Sequence, residues 1–231
     1  MHIAVTSLAA AGMLSLAASI AAAQGTVSGT LSLEERAGAD RGDIRGAVVY
    51  LEPRERAIPV NDVPSMRSRV IAMHGREFRP HVTIVLAGGS VAFPNEDPFS
   101  HNVFSNVDLG PFDLGLYRRG TTRSATFARA GVYPIYCNIH SMMVSFVVAV
   151  PSPWATQPDA SGRFTLRGVP PGRYIVHAWH EHGAHEVTRE IVVTDSGVDA
   201  LDLHIDARTY VDAPHLNKFG RPSALIRDDR Y

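Results

Sequence analysis

The sequence lacks the features that several large functional classes need. It has one cysteine, which excludes an intramolecular disulfide, a haem attached through two thiols, and a zinc or iron–sulfur site made of cysteines alone. Neither charge is in excess, because 22 Lys and Arg face 23 Asp and Glu, and this excludes the broad basic surface of a nucleic-acid-binding protein. Beyond residue 23 no apolar run is long enough to span a bilayer. We therefore expect no nucleic-acid partner and no membrane span once the N-terminal segment is removed.

The remaining composition is typical of a globular β protein. Hydrophobic residues make up 45% of the 231 residues, and 19 glycines with 15 prolines suit short strands joined by turns. Apolar and polar residues alternate with a period of two, which predicts strands. The predicted strands are 26–33, 44–51, 68–73, 82–86, 90–93, 125–128, 132–137, 144–150, 163–166, 174–179, 186–193 and 201–205. This spacing predicts an all-β fold built from β-sandwiches.

The first 23 residues predict export. Residues 3–23 are apolar and small, and they end in three alanines before Gln24, which is the pattern of a signal peptide with an Ala-x-Ala cleavage site. The N-terminal end carries no Lys or Arg, which weakens this interpretation, but the polar residues within 3–23 weaken the alternative of a membrane anchor. We expect a signal peptide over 1–23 and a periplasmic location. An unpaired cysteine in that compartment is oxidised unless it is buried or bound.

The single cysteine belongs to a pattern of metal-ligand residues. Cys137, His140 and Met143 are spaced three apart at the end of a predicted strand, and His101 follows a different strand. A thiolate, two imidazoles and a thioether form the ligand set of copper in a trigonal site with a weak axial sulfur. The mixed set suits both oxidation states of copper, so electron transfer requires little rearrangement. Met142 is the alternative axial ligand, although we expect it to lie at the surface.

Four short motifs surround these ligands. They are Phe-Pro-Asn-x-Asp, His-Asn-Val-Phe-Ser, Phe-Asp-Leu-Gly and Cys-Asn-Ile-His, at residues 93–97, 101–105, 112–115 and 137–140. With them the segment 67–150 resembles the cupredoxins, the blue-copper family of plastocyanin and amicyanin, and is similar to the plastocyanin-like proteins of methylamine utilisation. The resemblance implies a Greek-key β-sandwich that holds one type 1 copper at one end. The ligands that it implies are His101, Cys137, His140 and Met143.

Two neighbours of the ligands are predicted to tune the site. Asn102 is placed, as in cupredoxins, to tie its loop to the cysteine loop and to donate toward the thiolate. Ile139 stands where plastocyanin has proline, so a backbone N–H exists at this position and can donate to the sulfur of Cys137. The alternative is that Ile139 is only an apolar residue of the loop.

The sequence on both sides of this segment predicts a second small sandwich. Residues 26–31 and 46–51 resemble the opening of a carboxypeptidase-regulatory-like sandwich, which is also called transthyretin-like or prealbumin-like, and 159–164 and 169–174 resemble its later parts. The alternative is that the N-terminal strands belong to the cupredoxin sheet and only the C-terminal part is separate.

The domain organisation follows from these two resemblances. After the signal peptide we expect the first part of the regulatory-like sandwich over 24–60 and the cupredoxin domain over 61–150. The remainder of the regulatory-like sandwich then spans 151–206, and an extended or partly disordered tail spans 207–231.

Four further histidines lie close together in the sequence, at His177, His180, His182 and His185. His180 and His182 fall on one face of a strand, and a hairpin that brought His185 near them would create a second metal site. The alternative is a structural role or a contact between the two sandwiches.

These features favour a periplasmic type 1 copper protein that carries single electrons and is not an enzyme. Redox partner proteins would dock near the exposed edge of His140, on an apolar rim that includes Met142. One alternative is a copper-binding or copper-delivery protein, which uses the same ligands but exchanges its metal. The other is a copper oxidoreductase with the histidine-rich second site.

Overall fold

A computed structural model describes residues 24–38, 42–55 and 63–222. The predicted signal peptide and the last nine residues of the predicted tail lie outside these residues. Within them, the secondary structure is almost entirely β, with one short helix, α1 (Pro64–Arg67), and a 3-10 helix at Ile44–Gly46. The strands are β1 Gly25–Glu34, β2 Val48–Pro53, β3 Ser68–Val70, β4 Ala72–His74, β5 Glu77–Arg79, β6 Val82–Leu86, β7 Gly89–Pro94, β8 His101–Ser105, β9 Phe112–Tyr117, β10 Thr122–Phe127, β11 Gly131–Tyr136, β12 Val144–Val150, β13 Ala155–Thr156, β14 Arg163–Val169, β15 Gly172–Trp179, β16 Val187–Val193 and β17 Val198–Asp206. The predicted all-β class is confirmed.

Residues 63–150 form the central sandwich. One of its sheets has five strands in the order β6-β12-β11-β8-β9, and the other has three strands in the order β10-β7-β3. Side chains that alternate along these strands point into one shared apolar core, which includes Phe93 from β7, Phe127 from β10 and Ile135 from β11. Such alternation buries one face of each sheet. Cys137 lies at the end of this core.

Residues 24–55 and 151–206 form the flanking sandwich. Its sheets have the strand orders β14-β1-β17 and β13-β2-β15-β16. The first strand of the chain thus lies between two late strands, antiparallel to β14 and parallel to β17. A separate core fills this sandwich, with Leu51, Trp154, Val176 and Leu203 among its buried members. In the described structure, β1 and β2 therefore pair with strands that follow residue 150.

The two sandwiches pack against each other through a third apolar cluster. Val48 and Tyr50 on β2 meet side chains of β6 and β12, and the rings of Phe146 and Trp179 lie 5.1 Å apart. At the edge of this cluster, His81 Nε2 lies 2.6 Å from a carboxylate oxygen of Glu181. The contact therefore covers part of the outer face of the five-stranded sheet, at β6 and β12.

Four observed strands were not predicted: β5, β8, β9 and β13. The most important of these is β8, in which all five residues are buried. A strand that is covered on both faces loses the period-two alternation by which sequence analysis finds it. The predicted strand 44–51 begins as a 3-10 helix, and the predicted strand 68–73 divides into β3 and β4. The described residues contain no helix with the length and apolar character that crossing a membrane requires.

Candidate metal centre

A tight loop between β11 and β12 carries three of the four predicted ligands. Cys137 follows the last residue of β11, and β12 begins at Val144. Two backbone hydrogen bonds close the loop: Met143 N–H donates to the carbonyl of His140 (3.0 Å), and Cys137 N–H donates to the carbonyl of Met143 (3.2 Å). The spacing of three residues therefore turns the chain back on itself and places Cys137 beside Met143.

The fourth predicted ligand reaches this loop from a neighbouring strand. His101 is the first residue of β8, which pairs with β11 through Phe104 and Tyr136. Cys137 Sγ lies 3.7 Å from Nδ1 of His101 and 3.7 Å from Nδ1 of His140. The three ligand atoms all lie within 4.8 Å of one another. The structure thus brings the thiol of Cys137 and the imidazole of His140, from one loop, together with the imidazole of His101, which lies 36 residues before Cys137 in the chain.

The donor set of this cluster fits copper. Cys137 is a free cysteine with 0% exposure, and both facing imidazole atoms are Nδ1. One sulfur and two nitrogens in a buried, compact group are the ligands that copper accepts in both oxidation states. Across the described ranges, no other group of three His, Cys, Asp or Glu side chains brings its ligand atoms this close.

Met143 and Met142 differ sharply in burial. Met143 is 2% exposed and belongs to the same core cluster as Cys137, whereas Met142 is 59% exposed. An axial ligand has to lie on the inner side of the loop, so the burial favours Met143 over Met142. The assignment of Met143 as the axial ligand stays a prediction.

Asp97 holds the far side of the His101 ring and was not among the predicted site residues. His101 Nε2 lies 2.7 Å from Asp97 Oδ2, and both side chains are almost fully buried. Burial lowers the pKa of His101, and this outweighs the opposite effect of Asp97. Burial alone would raise the pKa of Asp97, but hydrogen bonds from the backbone N–H groups of Arg76 and Gly75 and from His101 hold it below its usual value.

Phe99 packs against both imidazoles. Its ring centroid lies 5.1 Å from that of His101 in an edge-on arrangement and 5.8 Å from that of His140. The two imidazole centroids are themselves 5.0 Å apart. The guanidinium of Arg76 lies over the outer face of this cluster, 5.2 Å from the Phe99 centroid. An aromatic cover of this kind limits the access of water to the ligands.

The predicted role of Asn102 differs from what the structure shows. Its Nδ2 donates to Asp113 Oδ1 on β9 at 2.6 Å, and its Oδ1 is buried without a hydrogen-bond partner in the described structure. The reason is that β8 pairs with β9, with an irregular register just after Asn102, so the amide faces β9 instead of the cysteine loop. Ile139 is partly buried against the central core. Donation by its backbone N–H to Cys137 stays a prediction.

The C-terminal segment, residues 207–222, contacts the ligand loop. The backbone N–H of His215 donates to the carbonyl of Ser141, and His215 Nε2 donates to the carbonyl of His140, both at 3.1 Å. The backbone N–H of Lys218 donates to Asn138 Oδ1 at 3.0 Å, and Lys218 Nζ lies 2.6 Å from Asp113. The predicted extended tail therefore packs, over its described part, against the loop that carries His140.

The four histidines of the predicted second metal site come together only in part, with the rings of His180 and His182 5.0 Å apart. The ring of His180 is engaged by backbone groups, because Nδ1 accepts from His182 N–H and Nε2 donates to the carbonyl of Asp43, each at 3.1 Å. His182 stacks on Tyr210 with centroids 3.6 Å apart. His177 lies between Glu52 and Glu186, and His185 is exposed. Within the described residues they form no group of three with ligand atoms as close together as those of His101, Cys137 and His140, so a second metal site stays a prediction.

The solved structures that are similar to part of the chain include the following three. A purple cupredoxin from Nitrosopumilus maritimus is 23% identical over 36% of this chain and 99% of its own, with a TM-score of 0.33. Amicyanin from Paracoccus versutus is 20% identical over 44% of this chain and 98% of its own, with a TM-score of 0.34. A copper-containing nitrite reductase from Thermus scotoductus SA-01 is 24% identical over 43% of this chain, with a TM-score of 0.34, and the match spans 25% of the reductase. No protein-family model matches the chain, and no curated protein matches it.

Proposed function

We propose that this protein binds one copper ion through His101, Cys137 and His140 and carries single electrons between redox partners. The observation that carries the proposal is the distance of 3.7 Å from the sulfur of Cys137 to Nδ1 of each histidine. When bound at these atoms, copper supplies a one-electron couple between its two oxidation states. Met143, on the buried side of the same loop, is the proposed weak axial ligand.

The surroundings of the ligands favour copper binding and one-electron exchange. Burial lowers the pKa of His101, so its imidazole is neutral near neutral pH and Nδ1 is available as a ligand. Cys137 lies in the apolar core, where water and oxidants have little access to its sulfur. The closed loop and the strand pairing fix the three ligands, so a change of charge on a bound ion requires little movement of the protein.

The rigid placement of the three ligands also favours electron transfer over copper delivery. A delivery protein has to release its metal, which requires its ligands to move apart. Here two ligands are fully buried, and the loop that carries His140 is held on its outer side by His215 and Lys218. Retention of the metal is the expected result of such an arrangement.

Partners are proposed to dock around His140 in the periplasm. His140 is half-buried at the ligand end of the sandwich, and the neighbouring Met142 exposes 59% of its surface. A small apolar surface beside a ligand suits the brief contacts of electron-transfer proteins. The periplasmic location follows from the predicted signal peptide over 1–23.

Voltammetry of the copper-loaded protein, combined with competition by a chelator, tests the proposal. We expect a reversible one-electron wave, one copper per chain, and slow loss of copper to the chelator. Rapid loss of colourless copper would favour the delivery function. Two coppers per chain with turnover of a small oxidant would favour an oxidoreductase.

A further inference from the structure

Asp97 is the buried charged group closest to the ligands, and the electron-carrier proposal does not itself assign it a task. It lies in the loop between β7 and β8, is 5% exposed, and follows Asn95, which is itself 1% exposed. Asn95 organises this loop, because its Oδ1 accepts from Asp97 N–H and its Nδ2 donates to the carbonyls of Phe99 and Tyr117. The hydrogen bonds of Asn95 therefore fix the position of Asp97 in the loop.

The carboxylate of Asp97 accepts two backbone hydrogen bonds and contacts the His101 ring. Gly75 N–H donates to Oδ1 at 2.6 Å, and Arg76 N–H donates to Oδ2 at 2.9 Å. His101 Nε2 is 2.7 Å from the same Oδ2. Gly75 and Arg76 both have positive φ, +66° and +63°, in the turn between β4 and β5. The left-handed conformation is uncommon for an arginine, and here it aims two successive N–H groups at one carboxylate.

We propose that Asp97 is a positioning residue that holds the proton of His101 on Nε2 and thereby keeps Nδ1 unprotonated and directed at Cys137. Two backbone donors already face the carboxylate, so it acts as an acceptor toward the imidazole as well. An imidazole that donates from Nε2 has its lone pair on Nδ1, the atom 3.7 Å from the sulfur. The carboxylate also makes the imidazole a stronger electron donor.

This proposal rests on the copper site proposed above and adds a prediction about the redox state. A more basic His101 stabilises copper(II) more than copper(I), because the higher charge gains more from the added electron density. Asp97 therefore shifts the balance toward the oxidised ion.

Asp97→Asn removes the negative charge of the side chain but keeps its size and shape, so the variant separates the effect of charge from that of shape. An asparagine with its oxygen toward His101 places its NH₂ group against the N–H of Gly75, which leaves two donors facing each other. The flipped amide directs NH₂ at Nε2, which favours a proton on Nδ1 and blocks the ligand atom. Either orientation weakens the contact between residue 97 and His101 Nε2, although the side chain keeps its volume.

The matched control is Glu96→Gln. Glu96 is adjacent in the chain and its substitution removes the same charge, but its exposed carboxylate faces His74 at 3.5 Å. We expect Asp97→Asn to weaken copper(II) binding at least tenfold relative to copper(I). A tenfold change corresponds to a reduction potential about 59 mV more positive for one electron. Glu96→Gln should leave both quantities unchanged.

A second measurement does not depend on copper or on a variant. Nitrogen-15 NMR of the metal-free wild-type protein reports which ring nitrogen of His101 carries the proton, and we expect Nε2. A proton on Nδ1 would overturn the proposal even if Asp97→Asn failed to fold. So would a folded Asp97→Asn protein with the potential and copper(II) affinity of the wild type. If Nε2 carries the proton but copper gives no thiolate absorption, the positioning of His101 is supported and the electron-carrier function fails.

Discussion

The two histidines of the site face the same sulfur but are held in different ways. His101 begins a fully buried strand, has 0% exposure, and is held by a buried carboxylate. His140 lies in a loop, is half-buried, and its carbonyl accepts from His215 of a segment that is 75 residues away in the chain. The site therefore combines one ligand that belongs to the buried core with one that lies in a half-buried loop.

In the proposed function, one centre has to meet two requirements. Fast electron exchange needs ligands that do not move, and it also needs a short path from the metal to the partner. The core ligand provides the first and the loop ligand provides the second. Substitutions of the core ligand His101 and of the loop ligand His140 should therefore have different effects on the copper site.

The largest difference is expected between His101→Gly and His140→Gly. Added imidazole should restore the visible spectrum of copper-loaded His140→Gly, because the gap opens at the surface. It should not restore His101→Gly, in which the gap is enclosed and Asp97 loses a hydrogen bond worth about 2 kcal/mol. Absorption titrations and denaturant unfolding measure both effects. Equal rescue of the two variants would contradict the distinction.

A smaller effect is expected when the C-terminal segment is weakened. His215→Ala combined with Lys218→Ala removes the side-chain hydrogen bond to the His140 carbonyl and the ion pair with Asp113. With about 1 kcal/mol for each, copper loss to a chelator should become roughly thirtyfold faster. Arg208→Ala is the control, because Arg208 lies in the same segment but contacts Asp206 and Glu34. Unchanged release kinetics in the double variant would show that the segment does not restrain the loop.

A moderate shift of the reduction potential is expected for Ile139→Pro. The substitution removes the backbone N–H that we predict to donate to the sulfur of Cys137. Because hydrogen bonds to a thiolate stabilise the reduced centre, the variant should have a lower potential, by about 40 mV for a bond of about 1 kcal/mol. Voltammetry of the two proteins decides this. An equal or higher potential in Ile139→Pro would leave Ile139 as an apolar loop residue only.

The smallest effect is expected away from the site, where His81 and Glu181 join the two sandwiches. The hydrogen bond from His81 to Glu181 raises the pKa of His81 above 6.5. Burial alone would raise the pKa of Glu181, but His81 holds it below 4.5. The stability that His81 contributes is fully present below pH 6.5 and is lost as pH rises through its higher folded pKa. The contribution of Glu181 is lost as pH falls through its lower folded pKa.

We therefore expect His81→Gln to reduce the free energy of unfolding near pH 5.5 by less than about 1 kcal/mol, since His81 is 45% exposed. The difference from the wild type should disappear at alkaline pH. Unfolding in urea at several pH values measures this. His81→Gln and Glu181→Gln should have similar effects that do not add in the double variant. Additive losses would mean that the two residues act independently.

The sequence predicted those parts of the site that are local in the chain. The spacing of Cys137, His140 and Met143 predicts a loop of the observed kind, because residues three apart can turn around one point. Asp97 is the last residue of the motif Phe-Pro-Asn-x-Asp, but its role depends on hydrogen bonds from the turn at Gly75 and Arg76. The sequence around Asp97 does not indicate that this turn lies beside it. The strand β8 was not predicted because burial on both faces removes its alternation. No sequence pattern indicates that His215 contacts the ligand loop, because this contact results from the packing of the C-terminal segment.

The most direct test of the account is the visible absorption of the protein loaded with one equivalent of copper, measured beside Cys137→Ser. A thiolate bound to copper(II) together with two imidazoles produces an intense charge-transfer band. We predict that band in the wild-type protein and its complete loss in a folded Cys137→Ser variant. A wild-type protein that binds copper without intense colour, or a Cys137→Ser variant that keeps the colour, would contradict the assignment of Cys137, His101 and His140 as one copper site.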